Sequence, residues 1–136
     1  MIRVIFGEKG TGKTKRIIEM ANEALKTAKG SIVFLDDDNK YMFDLKHEIR
    51  FVNASEYEID GPKMFFGFLN GMAAQDFDLE YIFIDGFLKI VHHDLSTLEG
   101  LFDNLNKFSK RCDVNVIISI SGNPGSVPEF IKPYLV

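Results

Sequence analysis

The chain has 136 residues, 46% of them hydrophobic and 26% charged, with a formal net charge of −4 and a single cysteine. That length fits one globular domain over residues 1–136 with a continuous core, and is too short for two ordinary domains. The charge balance offers no basic stripe, so nucleic acid is not a favoured partner; the lone Cys112 excludes an internal disulfide and a multi-cysteine zinc site, and no apolar stretch reaches membrane-spanning length.

The chain enters its first strand directly, with no signal-peptide pattern, so the expectation is a soluble, cytoplasmic protein without a membrane partner. Ile2, Val4, Ile5 and Phe6 make that strand. It runs into Gly7-Glu8-Lys9-Gly10-Thr11-Gly12-Lys13-Thr14, an uninterrupted G-x-x-x-x-G-K-[ST] pattern between a strand and a helix. Gly7, Gly10 and Gly12 let the backbone curl so that its N–H groups face inward. Lys13 brings a positive charge to the β- and γ-phosphates, Thr14 offers its hydroxyl to Mg²⁺, and the helix dipole adds to the same anion site. Gly7 to Lys15 are therefore the expected nucleotide-binding residues, for ATP or GTP with Mg²⁺.

Ile17, Ile18, Ala21, Ala24, Leu25 and Ala28 recur at helical spacing and predict a helix over 13–29 that Gly30 stops. Ser31 to Leu35 is a continuous apolar run, as in a buried parallel strand, and ends in Asp36-Asp37-Asp38. A helical turn is expected over 40–46, then a half-buried edge strand over 49–53. Asp60, Gly61 and Pro62 start a helix to about Gln75, with Phe65, Phe68, Leu69 and Met72 on one face.

Glu80 to Asp85 is another buried strand, after which Asp94 or Ser96 can cap a helix carrying Leu98, Leu101, Phe102, Leu105 and Phe108. Val114 to Ile120 is the last strand. Gly122 to Gly125 forms a loop, and Ser126-x-x-Glu129 has the form of a capping box opening a short helix that Pro133 ends. Cys112 is expected to pack near a helix end.

Strands alternating with helices imply right-handed βαβ units and a parallel sheet between helical layers. Ligands in such sheets bind at the carboxyl ends of the strands, which directs attention to Gly7–Thr14, Asp36–Asp38, Asp85 and Ser119–Asn123. The apolar strand Tyr81-Ile82-Phe83-Ile84 delivering Asp85 has the form of a Walker B segment, so Asp85 joins Thr14 as the expected Mg²⁺ ligand.

GEKGTGKT, IVFLDDDNKYMFDL, IRFVN, YIFID and VNVIISIS together resemble the RecA-like ATPases along nearly the whole chain. The resemblance implies a P-loop NTPase: a three-layer α/β/α sandwich with a mostly parallel five-stranded sheet in the order 3-2-4-1-5. It also implies a water-orienting acid at Asp38, with Asp37 the weaker choice, and makes Lys13 and Asp38 the candidate catalytic residues. That family has a Glu at the matching position and a Gln on the fifth strand, where this chain has Asp38, and Ser119, Ser121 and Asn123. Asp36 to Asp38 equally suit a turn cap. Arg16, Arg50 and Arg111 read as solvated charges, and His92 and His93 as loop residues.

Three functions fit these residues. The first is a small ATP- or GTP-binding protein with slow or partner-activated hydrolysis, its site completed by a second copy or a protein partner. The second is a nucleoside or nucleotide kinase-type phosphotransferase, and the third a nucleotide-regulated interaction module that does not hydrolyse.

Overall fold

The computed structural model describes residues 1–136. Five strands, β1 (Ile2–Gly7), β2 (Ser31–Asp36), β3 (Arg50–Asn53), β4 (Leu79–Ile84) and β5 (Asn115–Ser121), form one sheet in which every pairing is parallel. Its helices are α1 (Lys13–Ala24), α2 (Pro62–Gln75), the short α3 (Phe87–Val91) and α4 (Glu99–Cys112). None is long and apolar enough to cross a membrane.

Because side chains alternate along a strand, each buried strand feeds two cores. Val33, Leu35, Ile82, Ile84, Val116 and Ile118 face α2, α3 and α4, and join Phe65, Leu69, Phe87, Phe102 and Phe108 in the larger core. Ile5, Phe34, Phe83 and Ile117 face the other way and meet Ile17, Ile18 and Ala21 of α1. The three-layer α/β/α architecture follows from this two-sided burial.

The strand order departs from the expected 3-2-4-1-5. It is β3-β2-β4-β5-β1, with β5 between the Asp85-bearing strand β4 and β1. The burial explains it: Val116 to Ile120 is an unbroken buried run suited to an interior position, whereas β1 carries the exposed Arg3. The outer side of β1 is met by the chain's last residues, Leu135 bridging to Val4 and Val136 N–H donating to the Val4 carbonyl at 3.1 Å.

Other differences are local. α1 ends at Ala24 and the chain turns before Gly30, where a Cβ would lie 2.0 Å from the Asp78 carbonyl oxygen. The Glu80 carboxylate accepts from the N–H groups of both Lys29 and Gly30 and holds this turn against β4. Neither Asp94 nor Ser96 caps α4, whose N-cap is Leu98 without a side-chain bond. The expected helix after Ser126 is replaced by short turns at Pro124–Ser126 and Lys132–Tyr134. Pro128 forces Val127 into an extended conformation (φ −65°, ψ 125°), which the proposed first helical turn cannot accommodate. Half-buried Cys112 is the last residue of α4 and packs against the larger core, as expected.

Candidate functional site

Parallel register and strand parity build the site. Leu35, Ile84, Ile118 and Val4 lie in one row across the sheet, so the next row holds Asp36, Asp85, Ser119 and Ile5. Asp36 shares the α1-facing side of β2 with Phe34, Asp85 that of β4 with Phe83, and Ser119 that of β5 with Ile117. Three polar side chains thus continue apolar columns at the carboxyl end of the sheet, where the Gly7–Thr14 loop leads into α1.

Gly10 (φ 82°) and Gly12 (φ 86°) adopt left-handed conformations, and their turns bring the loop back over its own start. The Glu8 carbonyl accepts both Thr11 Oγ1 at 2.7 Å and Lys13 Nζ at 2.8 Å. Glu8 itself is exposed, as are Lys9 and Lys15. No N–H group from Glu8 to Lys15 donates to another group of the protein; the first to do so is Arg16, to Gly12. A run of free amide donors at a helix start, with an ammonium folded over it, is an arrangement suited to an anion.

Below the loop, Thr14 Oγ1 donates to Asp85 Oδ2 at 2.8 Å, and Ser119 Oγ donates to Asp85 Oδ1. Asp36 lies beside Asp85 and is only 3% exposed. Its Oδ1 accepts the Asp37 N–H at 2.7 Å, while its Oδ2 has no partner. Burial first, then the hydrogen bond with the Asp37 side chain and the charge of Asp85, push the Asp36 carboxyl up to about 8. Gly86 (φ 68°) leaves room for this cluster, since a Cβ there would lie 2.5 Å from Asp37 Oδ1.

Asp38 stands apart from this buried group. It is exposed, and its Oδ1 accepts the Lys40 N–H at 2.9 Å, the turn-capping contact open to it from sequence. Asp36, by contrast, was missed as an individual site residue, although counting parity from Phe34 points to it. Ser119 reaches the buried cluster, Ser121 lies on the cavity wall, and Asn123 closes its own turn by accepting the Gly125 N–H.

The cavity over these groups has a volume of about 890 Å³. His92 and His93 lie outside it on an exposed loop, beside a separate cavity of about 580 Å³. Arg16 and Arg50 are exposed, and Arg111 braces α4 to α2 through Asn70 Oδ1 at 2.7 Å.

No protein-family model and no curated protein sequence matches the chain. Among solved structures it is similar to the flagellar accessory protein FlaH from Methanocaldococcus jannaschii, with a TM-score of 0.56 and 16% identity over 97% of this chain. The likeness is one of fold. The chain shares that α/β fold and spans 65% of the length of that FlaH chain.

Proposed function

We propose that this protein binds ATP or GTP with Mg²⁺ at the Gly7–Lys15 loop and hydrolyses it slowly, or faster when a second copy or a protein partner completes the site. The run of unpaired N–H groups from Glu8 to Lys15, with Lys13 above it, carries the reading. Those donors can receive the β- and γ-phosphates without breaking any bond inside the protein. The motif matches the Walker A pattern, and β4 delivering Asp85 matches Walker B.

The residues also fit the cation. Thr14 and Asp85 are hard oxygen donors already in contact, and they would hold Mg²⁺, which when bound supplies neutralisation of phosphate charge. Asp38 is the proposed water-orienting acid, in competition with its bond to Lys40. A chain with one cysteine suits a reducing cytoplasm.

The deciding experiment is a titration of ATP and GTP with and without Mg²⁺, read by melting temperature and by phosphate release. Saturable, Mg²⁺-dependent stabilisation with slow release supports the reading, and no stabilisation by either nucleotide rejects it. Kinase-type transfer is the second reading, favoured by the size of the cavity beside the loop. A nucleoside panel scored for phosphorylated product separates the two.

A further inference from the structure

The loop and α3 reach the cavity from opposite faces of the sheet. α1, which the loop opens, packs on the side of Phe34, Phe83 and Ile117, whereas α3 belongs to the larger core on the other side. Both border the same cavity at the carboxyl ends of the strands, α3 through Gly86 to Lys89. A phosphate seated on the loop would have α3 across from it, with Asp85, bonded to Thr14, between the two.

α3 is firmly held for so short a helix. Phe87, Ile90 and Val91 are 0%, 3% and 0% exposed, and the Phe87 ring meets those of Phe65 and Phe102 edge-on at 5.5 and 5.6 Å. With those three side chains in the core, Leu88 and Lys89 are left to face outward. Half-buried Leu88 borders both the large cavity and the smaller one beside His92 and His93, and exposed Lys89 borders the large one alone.

The cations round the cavity differ in what they already hold. Lys13 is bonded to the Glu8 carbonyl, Lys40 lies over the Tyr41 ring at 5.2 Å, and Lys9 and Lys15 belong to the loop and its helix. Lys89 alone stands on α3, and it forms no ion pair with Asp37 or Asp38, which line the same cavity. An ammonium on a docked helix needs little reordering to meet charge that develops on a phosphate, where a positioned cation lowers a barrier most.

We infer that Lys89 is a catalytic residue whose ammonium meets the terminal phosphate from the side opposite Lys13. Water forms the new P–O bond, and the leaving diphosphate oxygen takes the electron pair of the bond that breaks. One proton of the water passes through Asp38 to solvent, and Lys89 keeps its own. The inference rests on the nucleotide reading above, and it places in the chain itself a cation that a partner would otherwise bring.

The test compares wild type, Lys89→Ala and Lys89→Arg, titrated with ADP–Mg²⁺ in the presence and absence of aluminium fluoride, a mimic of the phosphoryl group in flight. Single-turnover phosphate release from ATP is the second readout. ADP alone should bind all three alike. Lys89→Ala should weaken the aluminium fluoride complex about a hundredfold, the scale of losing one preorganised donor, and slow release to the same degree. Lys89→Arg should keep most of both. Aluminium fluoride complexes of equal affinity in wild type and Lys89→Ala overturn the inference, as does an equal loss with ADP alone. Release per chain that rises with protein concentration and ignores Lys89 gives the role to a partner and overturns it too. Wild type that binds neither ADP nor ATP sinks the nucleotide reading and this inference with it, whereas the other three outcomes sink Lys89 alone.

Discussion

Thr14 on α1 and Asp85 at the end of β4 are joined by a 2.8 Å hydrogen bond between elements 71 positions apart in the chain. The contact ties the start of the helix to the acid of a neighbouring strand. Thr14→Val keeps the volume and removes the hydroxyl, so nucleotide binding in the variant should lose its response to Mg²⁺. The unliganded protein should lose about 1–2 kcal/mol, because a part-buried carboxylate oxygen gives up a donor. Parallel nucleotide titrations at zero and saturating Mg²⁺ check the first effect and chemical denaturation the second; identical Mg²⁺ responses would remove Thr14 from the site.

The one side-chain hydrogen bond of Lys13 goes to the Glu8 carbonyl, so its loss should be felt by a ligand more than by the fold. Lys13→Ala should weaken ATP binding by roughly tenfold or more, the size of a charge-assisted bond to phosphate, with little change in the melting temperature of the free protein. Fluorescent-nucleotide titration against wild type decides it.

The two acids already singled out differ in setting, and that difference predicts a division of effects. Asp85→Asn should abolish the Mg²⁺ effect, since it removes the charge held between Thr14 and Ser119. Asp38→Asn should lower phosphate release and leave affinity nearly untouched. Single-turnover assays with both variants are the measurement. Unchanged release in Asp38→Asn, alongside its loss in Lys13→Ala, would leave Asp38 with its turn-capping bond alone.

Asp36 predicts a pH dependence. Its carboxyl is raised from an ordinary 3.8 to about 8, so between those values the folded chain binds more protons at this group than the unfolded chain does. Stability from this group is therefore fully present below about pH 4 and falls as pH rises towards 8. Asp36→Asn, neutral throughout, should flatten that slope. In metal-free buffer at pH 8 or above it should melt a few degrees higher than wild type, in line with the ~2–8 °C that 1 kcal/mol represents in domains of this general size. Parallel melting curves of both proteins across that range would contradict the burial argument.

Much of the scaffold was legible because its signals are local. Pro62 and the spacing of Phe65 and Leu69 mark α2, and the apolar runs mark β2, β4 and β5. Strand order is a global property, and the choice between β1 and β5 as the interior neighbour of β4 turned on the exposed Arg3, which was not weighed. α3 was missed because five residues of Phe-Leu-Lys-Ile-Val give too short a period to tell helix from strand. In the site, Thr14 and Asp85 were readable from motif spacing and do meet. Asp36 was hidden by its neighbours, since parity from Phe34 fits Asp36 and Asp38 alike and the register against β4 is what shows the buried row ending at Asp36.

The placement of β1 also bears on the order of assembly. Its only full strand neighbour is β5, the last strand made, whereas β2, β3 and β4 pair among themselves from the middle of the sequence. A nascent chain can thus pre-assemble its central strands while the N-terminal segment has nothing to pair with, and the entropic penalty of joining the two ends falls late. The Gly7 carbonyl receives its bond from Gly122 only after β5 has docked, so the anchor of the loop's first residue forms late, whereas the bonds of Thr11 and Lys13 to the Glu8 carbonyl are local. Chains released before that strand is complete would carry every residue of the loop without the bond that anchors its first residue to the sheet.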